Sequence, residues 1–297
     1  MLIVRYIGGL GNQLFQYAFA QELRRRGYNV YEDVGDFAQY KKHQGFELTK
    51  VFDVTIEYAP KKYLDRLKRG NSIFERIKAK LFLKNKKTHL SQAQINIDSL
   101  SKNKDFYLDG YWQDCSSYII RNELRTLIKF KKPSLNKRNE KLFYQINSSN
   151  SIGVHVRRGD YLNKENVNHF ENIGQEYYHK AKKIITKEMG SDIKFFFFSD
   201  DIDYVKSEFN WGEEEAVFVD WNLGENSYLD MYMMAHCQGL IIPNSTFSWW
   251  AGVLVKEKKV ISPKYWWKDR KRDNDVYLPE NWYLINNRNE NNYSLGI

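Results

Sequence analysis

Apolar runs in this 297-residue chain are short and regularly interrupted by polar and glycine-containing turns. Leu2–Tyr6 reads as a buried strand. Gly8, Gly9 and Gly11 form a turn, Asn12 serves as N-cap for a helix to about Arg26, and Gly27 supplies the stop. Tyr28–Tyr31 is the next strand. Residues 36–60 are irregular and aromatic. Phe106–Tyr111 reads as another strand, followed by Gln113, Asp114 and a helix to about Lys129. Lys131–Asn150 contains Pro133, a charge run and Asn147-Ser148-Ser149-Asn150, and reads as a linker. The division falls there, into domains 1–147 and 148–297.

The second half is more regular. Apolar strands recur at 151–156, 194–198, 216–219, 239–242 and 259–261, with helical patterns near 176–189, 202–209, 226–237 and 246–256. Strands alternating with helices predict an α/β fold with a parallel sheet covered on both faces. Such sheets bind ligands beyond the carboxyl ends of their strands. The residues expected there are Arg157-Arg158-Gly159-Asp160, Ser199-Asp200-Asp201, Asp220-Trp221-Asn222, Pro243-Asn244-Ser245-Thr246 and Ser262-Pro263. Most of the concentrated polar chemistry falls on that one edge.

Composition narrows the class. Apolar residues at 42% and charged residues at 28% are ordinary for a folded soluble chain. No apolar run approaches the ~18 residues of a membrane span. Arg5 interrupts the first apolar stretch, which has no charged lead-in and does not read as a signal peptide. Two cysteines, Cys115 and Cys237, make neither a disulfide framework nor a zinc site, and a reducing, cytoplasmic setting is expected. Between residues 61 and 90 stand eleven Lys/Arg and two acids, so this segment holds the whole net charge of +9. Nucleic acid is therefore a poor partner for the rest of the chain. Leu64, Leu67, Phe74, Ile77 and Leu81 give the segment an amphipathic pattern, broken at Gly70. It could lie on anionic lipid at the inner membrane face, but a solvated helix with its stripe on the core is the more ordinary reading.

Several motifs carry candidate chemistry. In GGLGNQL at 8–14 the spacing begins like a dinucleotide fingerprint, but Leu14 stands where the third glycine belongs, which disfavours NAD. The plainer reading is a glycine turn with Asn12 and Gln13 facing a cleft. In HVRRGDY at 155–161, alternation sets Ile152, Val154 and Val156 on one strand face and Gly153, His155 and Arg157 on the other. Guanidinium forks at a strand end match diphosphate oxygens; the alternative is an ion pair of Arg157 or Arg158 with Asp160. Ser245 and Thr246 open a helix whose free amides suit a phosphate, while Trp249 and Trp250 read as core. Asp230 sits in an apolar helical pattern, which leaves a ligand-reading acid and a solvent-facing one equally open. Asp200, Asp201 and Asp203 read as helix capping in preference to a metal cluster.

Together the motifs resemble glycosyltransferase family 11, the α-1,2-fucosyltransferases. The likeness lies in IGGLGNQLFQYAFA at 7–20, DGYWQD at 109–114, GVHVRRGDY at 153–161, FFSDD at 197–201 and ENSYLDMYMMAHCQGLIIPNSTFSWWAG at 225–252. No amino-terminal anchor like that of animal members is read at its start, so a likeness to bacterial members is the expectation. The resemblance implies a GT-B-like α/β fold of two Rossmann-type domains facing across a cleft. It implies inverting, metal-independent transfer of fucose from GDP-β-L-fucose to a galactoside 2-hydroxyl in a surface or lipid-linked glycan, with no cofactor. By resemblance Arg157 holds the β-phosphate, assisted by Arg158, and His155 and Asp230 address the nucleoside. Asn244, Ser245, Thr246 and Phe247 line the phosphate end. Gly11, Asn12, Gln13, Trp112 and Gln113 fall on the acceptor side, with Asn12 toward the transferred sugar. Asp160 is a candidate base or an orienter of the arginines. The rivals are a nucleotide-sugar-binding protein without turnover, a fucosyltransferase of another linkage, and an NAD-dependent oxidoreductase.

Overall fold

A computed structural model describes residues 1–39, 43–68, 88–95, 97–114, 126–159, 167–212, 215–254 and 259–288. The chain divides into two compact units, Met1–Lys131 and Lys132–Ile297.

The first unit is built on a four-stranded parallel sheet in the order β2-β1-β4-β3, from β1 (Leu2–Arg5), β2 (Val30–Asp33), β3 (His89–Ser91) and β4 (Phe106–Asp109). Between β1 and β2 runs α1 (Leu10–Arg25), buried along most of its length. It starts earlier than the sequence suggests: Gly9 occupies the N-cap position, so Asn12 lies in the first turn and caps nothing. Gly8 has φ +82°, and a Cβ there would come within 2.6 Å of Asn12 Nδ2, so the turn needs glycine on both counts. Two short helices follow, α2 (Leu48–Val51) and α3 (Lys61–Leu67).

The second unit carries a six-stranded, all-parallel sheet in the order β10-β9-β8-β5-β6-β7. Its strands are β5 (Ser151–Val156), β6 (Lys194–Ser199), β7 (Ala216–Val219), β8 (Gly239–Ile241), β9 (Lys259–Pro263) and β10 (Tyr283–Ile285). Fully buried β5 lies inside the sheet, as its unbroken apolar run requires. One face takes Ile152, Val154 and Val156 against Tyr177, Tyr178, Ala181 and Ile185 of α5 (Gln175–Met189). On the other, a Cβ at Gly153 would lie 2.7 Å from Leu240 and 3.3 Å from Cys237, so the glycine admits α7 (Tyr228–His236) to the sheet. The Tyr177 hydroxyl donates to the Ile242 and Ile261 carbonyls, and Tyr178 to that of His155.

The stretch read as a linker instead contains α4 (Lys137–Ser148), capped by Asn136, whose side chain accepts from the Asn139 amide. α6 (Ile202–Glu208) and α8 (Thr246–Leu254) follow β6 and β8. Trp249 and Trp250 are fully buried core residues. Among the described residues no helix is long and apolar enough to cross a membrane.

Candidate functional site

The carboxyl edge of the second sheet is organised by register. Val156 pairs with Ser199, so the residues leaving β5 and β6 emerge side by side. Asp200 accepts from the backbone amides of Arg158 (2.9 Å) and Gly159 (3.0 Å), and its Oδ2 lies 3.2 Å from Arg157 Nη1. Asp201 caps α6 at the Tyr204 amide and accepts from Arg158 Nε at 3.2 Å. The Arg158 guanidinium lies over the Tyr204 ring, 3.4 Å from its centroid. Among the described residues Asp200 and Asp201 are acid partners of the two arginines; Asp160 lies outside the described residues. The structure commits Arg158 to α6 and brings Arg157 near enough to His155 for its charge to act on the ring.

His155 is buried, and its Nδ1 lies 2.8 Å from Ser248 Oγ on α8. Burial, aided by the Arg157 charge, pushes its pKa down to about 3, so the ring is neutral at physiological pH. Phe247 is half-buried beside it, ring centroids 5.9 Å apart. Ser245 and Thr246 stand at the start of α8, as the sequence suggests. Asn244 differs from its expected role: both amide hydrogens donate to backbone carbonyls, those of Glu171 and Trp266, so its donors hold the fold together.

Asp230 belongs to a hydrogen-bonded chain that the sequence does not reveal. Trp221 Nε1 donates to Asn139 Oδ1, Asn139 Nδ2 to Asn222 Oδ1, and Asn222 Nδ2 to Asp230 Oδ1, each at 2.8 Å. Desolvation raises the Asp230 carboxyl to about 8, against the opposing Asn222 bond. Trp221 also carries the Arg138 guanidinium, 3.7 Å above its ring. Among the described residues no three His, Cys, Asp or Glu side chains converge as a metal site.

In the first unit glutamine side chains bond the backbone at and around the glycine turn. Gln13 is fully buried; its Nε2 donates to the Gly8 and Gly45 carbonyls, and its Oε1 accepts from the Glu47 and Leu48 amides. That uses all four of its hydrogen-bonding positions, so Gln13 shapes the turn and has nothing left for an acceptor. Gln16 does the same between Ile7 and Gly110. Trp112 is buried and stacks on Phe19 with centroids 4.0 Å apart, which makes it core and no sugar platform. Gly11 is buried within α1. Asn12, half-buried, accepts from Gln113 Nε2 at 3.0 Å.

Sequence reasoning missed a cavity of about 430 Å³ lined by Arg5, Asp33, Gly35, Asp36, Gln39, Leu64 and Lys68. Arg5 donates to Asp36 and Asp109, Lys68 to Asp33 and Asp36, and the Tyr107 hydroxyl to Asp33. Burial opposes the charge on Asp36, but its bonds to Lys68 and Arg5 prevail and hold its pKa below the usual carboxylate range. Arg5, Asp33 and Asp109 are each the last residue of a strand. The strand-end rule that singled out Arg157 would have found them.

The fold is that of a GT-B-like α/β protein, and the candidate site residues of the second unit gather at the carboxyl edge of its parallel sheet. The fold is shared with a crystal structure of POFUT1 in complex with GDP: TM-score 0.51 and 10% identity, over 88% of this chain and 97% of that one. The family model for glycosyl transferase family 11 matches residues 59–286, and the chain belongs to that family. It is 29% identical to an alpha-1,2-colitosyltransferase of Escherichia coli, over 96% of this chain and 99% of the relative. It is also 29% identical to the O-antigen biosynthesis glycosyltransferase WbnK of Escherichia coli, over 87% of this chain and 92% of the relative.

Proposed function

We propose that this glycosyltransferase moves L-fucose from GDP-β-L-fucose to the 2-hydroxyl of a galactoside in a surface or lipid-linked glycan, with inversion and without a metal ion. The observation that carries the reading is Arg157, a cation at the carboxyl end of β5 beside neutral His155 and the start of α8. As the glycosidic bond breaks, negative charge grows on the departing diphosphate while the sugar becomes oxocarbenium-like. A fixed guanidinium and the helix start supply positive potential where that charge develops, work that a cation would otherwise do. Asp230 reads the N1–H and N2 amino donors of guanine, and Asn12 faces the transferred sugar. The name of the colitosyl relative favours a 1,2 linkage, and that of WbnK an O-antigen acceptor.

The colitosyl relative also favours a second reading, in which the transferred sugar is colitose. One experiment separates the two and tests the first. Purified protein is given the fucosyl or the colitosyl donor with an array of galactosides, with and without EDTA, and the product linkage is determined. The proposal expects fucosyl transfer to O2 that persists in chelator. Transfer of colitose alone favours the second reading. Loss of turnover in EDTA, restored by magnesium or manganese, removes the metal-independent step.

A further inference from the structure

We propose that Asp200 is a positioning residue for the donor-phosphate arginine: its carboxylate fills an anion-binding nest made by the 157–159 turn and fixes Arg157 at the strand end. The inference rests on the reading of Arg157 as the phosphate ligand.

The geometry is that of a bound anion. One carboxylate takes two consecutive backbone amides, from Arg158 and Gly159, and faces a guanidinium nitrogen of Arg157. Successive amides converging on a single acid group are a known means of holding an anion. Here the anion is part of the chain. Gly159 is what permits the approach, because a Cβ there would stand 2.8 Å from Asp200 Oδ2. The placement follows from register, since β5 and β6 run parallel with Val156 opposite Ser199. The neighbouring acid is engaged elsewhere, since Asp201 caps α6 and pairs with Arg158. Among the described residues Asp200 is thus the acid that ties the turn to Arg157.

A long side chain leaving a strand end has many rotamers. A fixed counter-charge removes most of them before substrate arrives, as supporting groups do for other preorganised sites. Loss of such an outer support commonly costs about 10–100-fold, as measured for the groups that orient metal ligands. The nest in Asp200→Ala keeps its amides and guanidinium but loses its anion, so a small carboxylate can refill it.

The test compares Asp200→Ala, Asp200→Asn and Arg157→Ala by kcat and KM for GDP-fucose, with circular dichroism as folding control and formate as rescuing anion. Asp200→Ala is expected to fold, to lose about 10–100-fold in kcat/KM, and to regain several-fold on adding formate. Arg157→Ala is expected to be inactive and unmoved by formate. Asp200→Asn keeps one acceptor oxygen for the amides but lacks the second oxygen and the charge facing Arg157, and should be impaired by at least about tenfold; it decides the matter if the alanine variant does not fold. Parental kinetics in folded Asp200→Ala or Asp200→Asn overturn the inference. So does a folded, impaired Asp200→Ala that formate does not restore, because a merely structural loss is not repaired by a free anion. An active Arg157→Ala overturns both the inference and the functional reading. An inactive Arg157→Ala beside an unimpaired Asp200→Ala overturns the inference alone.

Discussion

A guanidinium keeps its charge in almost any surroundings, so neighbours alone separate Arg157 from Arg158. Arg158 is held between Asp201 and the Tyr204 ring, whereas Arg157 pairs with Asp200 and its charge acts on His155. An interaction that strengthens in the transition state lowers kcat when it is lost. Arg157→Ala should therefore fold and lose ~10²–10³ or more in kcat, the usual effect of removing one preorganised donor. Arg157→Lys should also be poor, since an ammonium cannot form the two-pronged fork. Retention of more than about a tenth of parental kcat by folded Arg157→Ala, far above that range, would remove it as the clamp. Asp230 makes a second, pH-dependent prediction. Its folded pKa of about 8 lies above the ordinary carboxylate value, and reading guanine requires the ionised form. Affinity for GDP should then rise with pH toward 8, by up to about tenfold per unit, and level off above it. Calorimetry at pH 6, 7 and 8 checks this, and Asp230→Asn should lose the slope; a flat parental profile would count against a carboxylate reading the base. The same raised pKa stabilises the fold fully below the unfolded value and less as pH climbs through 8. The Asp230→Asn variant should accordingly gain stability relative to the parent on moving from pH 5 to pH 9.

Elements were legible where burial imposes a period. The bounds of β5 match its apolar run, because an interior strand of a parallel sheet is apolar throughout. Edge strands of three residues, β3 and β10, carry no such signature and stay mostly outside the core, so they passed unnoticed. The α4 helix was hidden by its charge: only Asn139, Leu142 and Ile146 are buried, a narrow stripe in a run that otherwise reads as linker. Of the expected site residues, Arg157, His155, Ser245, Thr246 and Phe247 gather at one sheet edge in the second unit. The amides were harder to interpret. Asn12 and Gln13 at the glycine turn suggest cleft-facing side chains, yet Gln13, like Gln16, bonds backbone groups around that turn, and bonds between side chain and backbone leave no periodic trace. Gln13→Ala strands two carbonyls and two amides in the interior. At about 1–3 kcal/mol for each buried group left unpaired, with water relieving some, it should destabilise the first unit by roughly 2–4 kcal/mol. Urea unfolding measures this, and a loss below about 1 kcal/mol would mean that the turn does not depend on Gln13.

Across the whole molecule the net charge is confined to residues 61–90. The described beginning of that segment behaves as an ordinary amphipathic helix: Tyr63, Leu64 and Leu67 of α3 pack with Ile3 and Tyr107, and Lys68 is engaged by Asp33 and Asp36. Residues 69–87 lie outside the described residues. Replacing Lys84, Lys86 and Lys87 with Gln should weaken binding to anionic vesicles, by up to about 1 kcal/mol per lysine at low ionic strength and less as salt is added. Turnover on soluble acceptors should be unchanged. Sedimentation with vesicles decides it, and equal binding by mutant and parent would leave the segment a solvated face. The strand order of the second sheet has a consequence during synthesis. Its interior strand β5 is the first to leave the ribosome, and its partner on one side, β8, follows only about 80 residues later. At about 5–20 residues per second, the nascent chain carries a bare, apolar strand edge for roughly 4–17 s, an interval in which chaperones compete with other emerging chains for it.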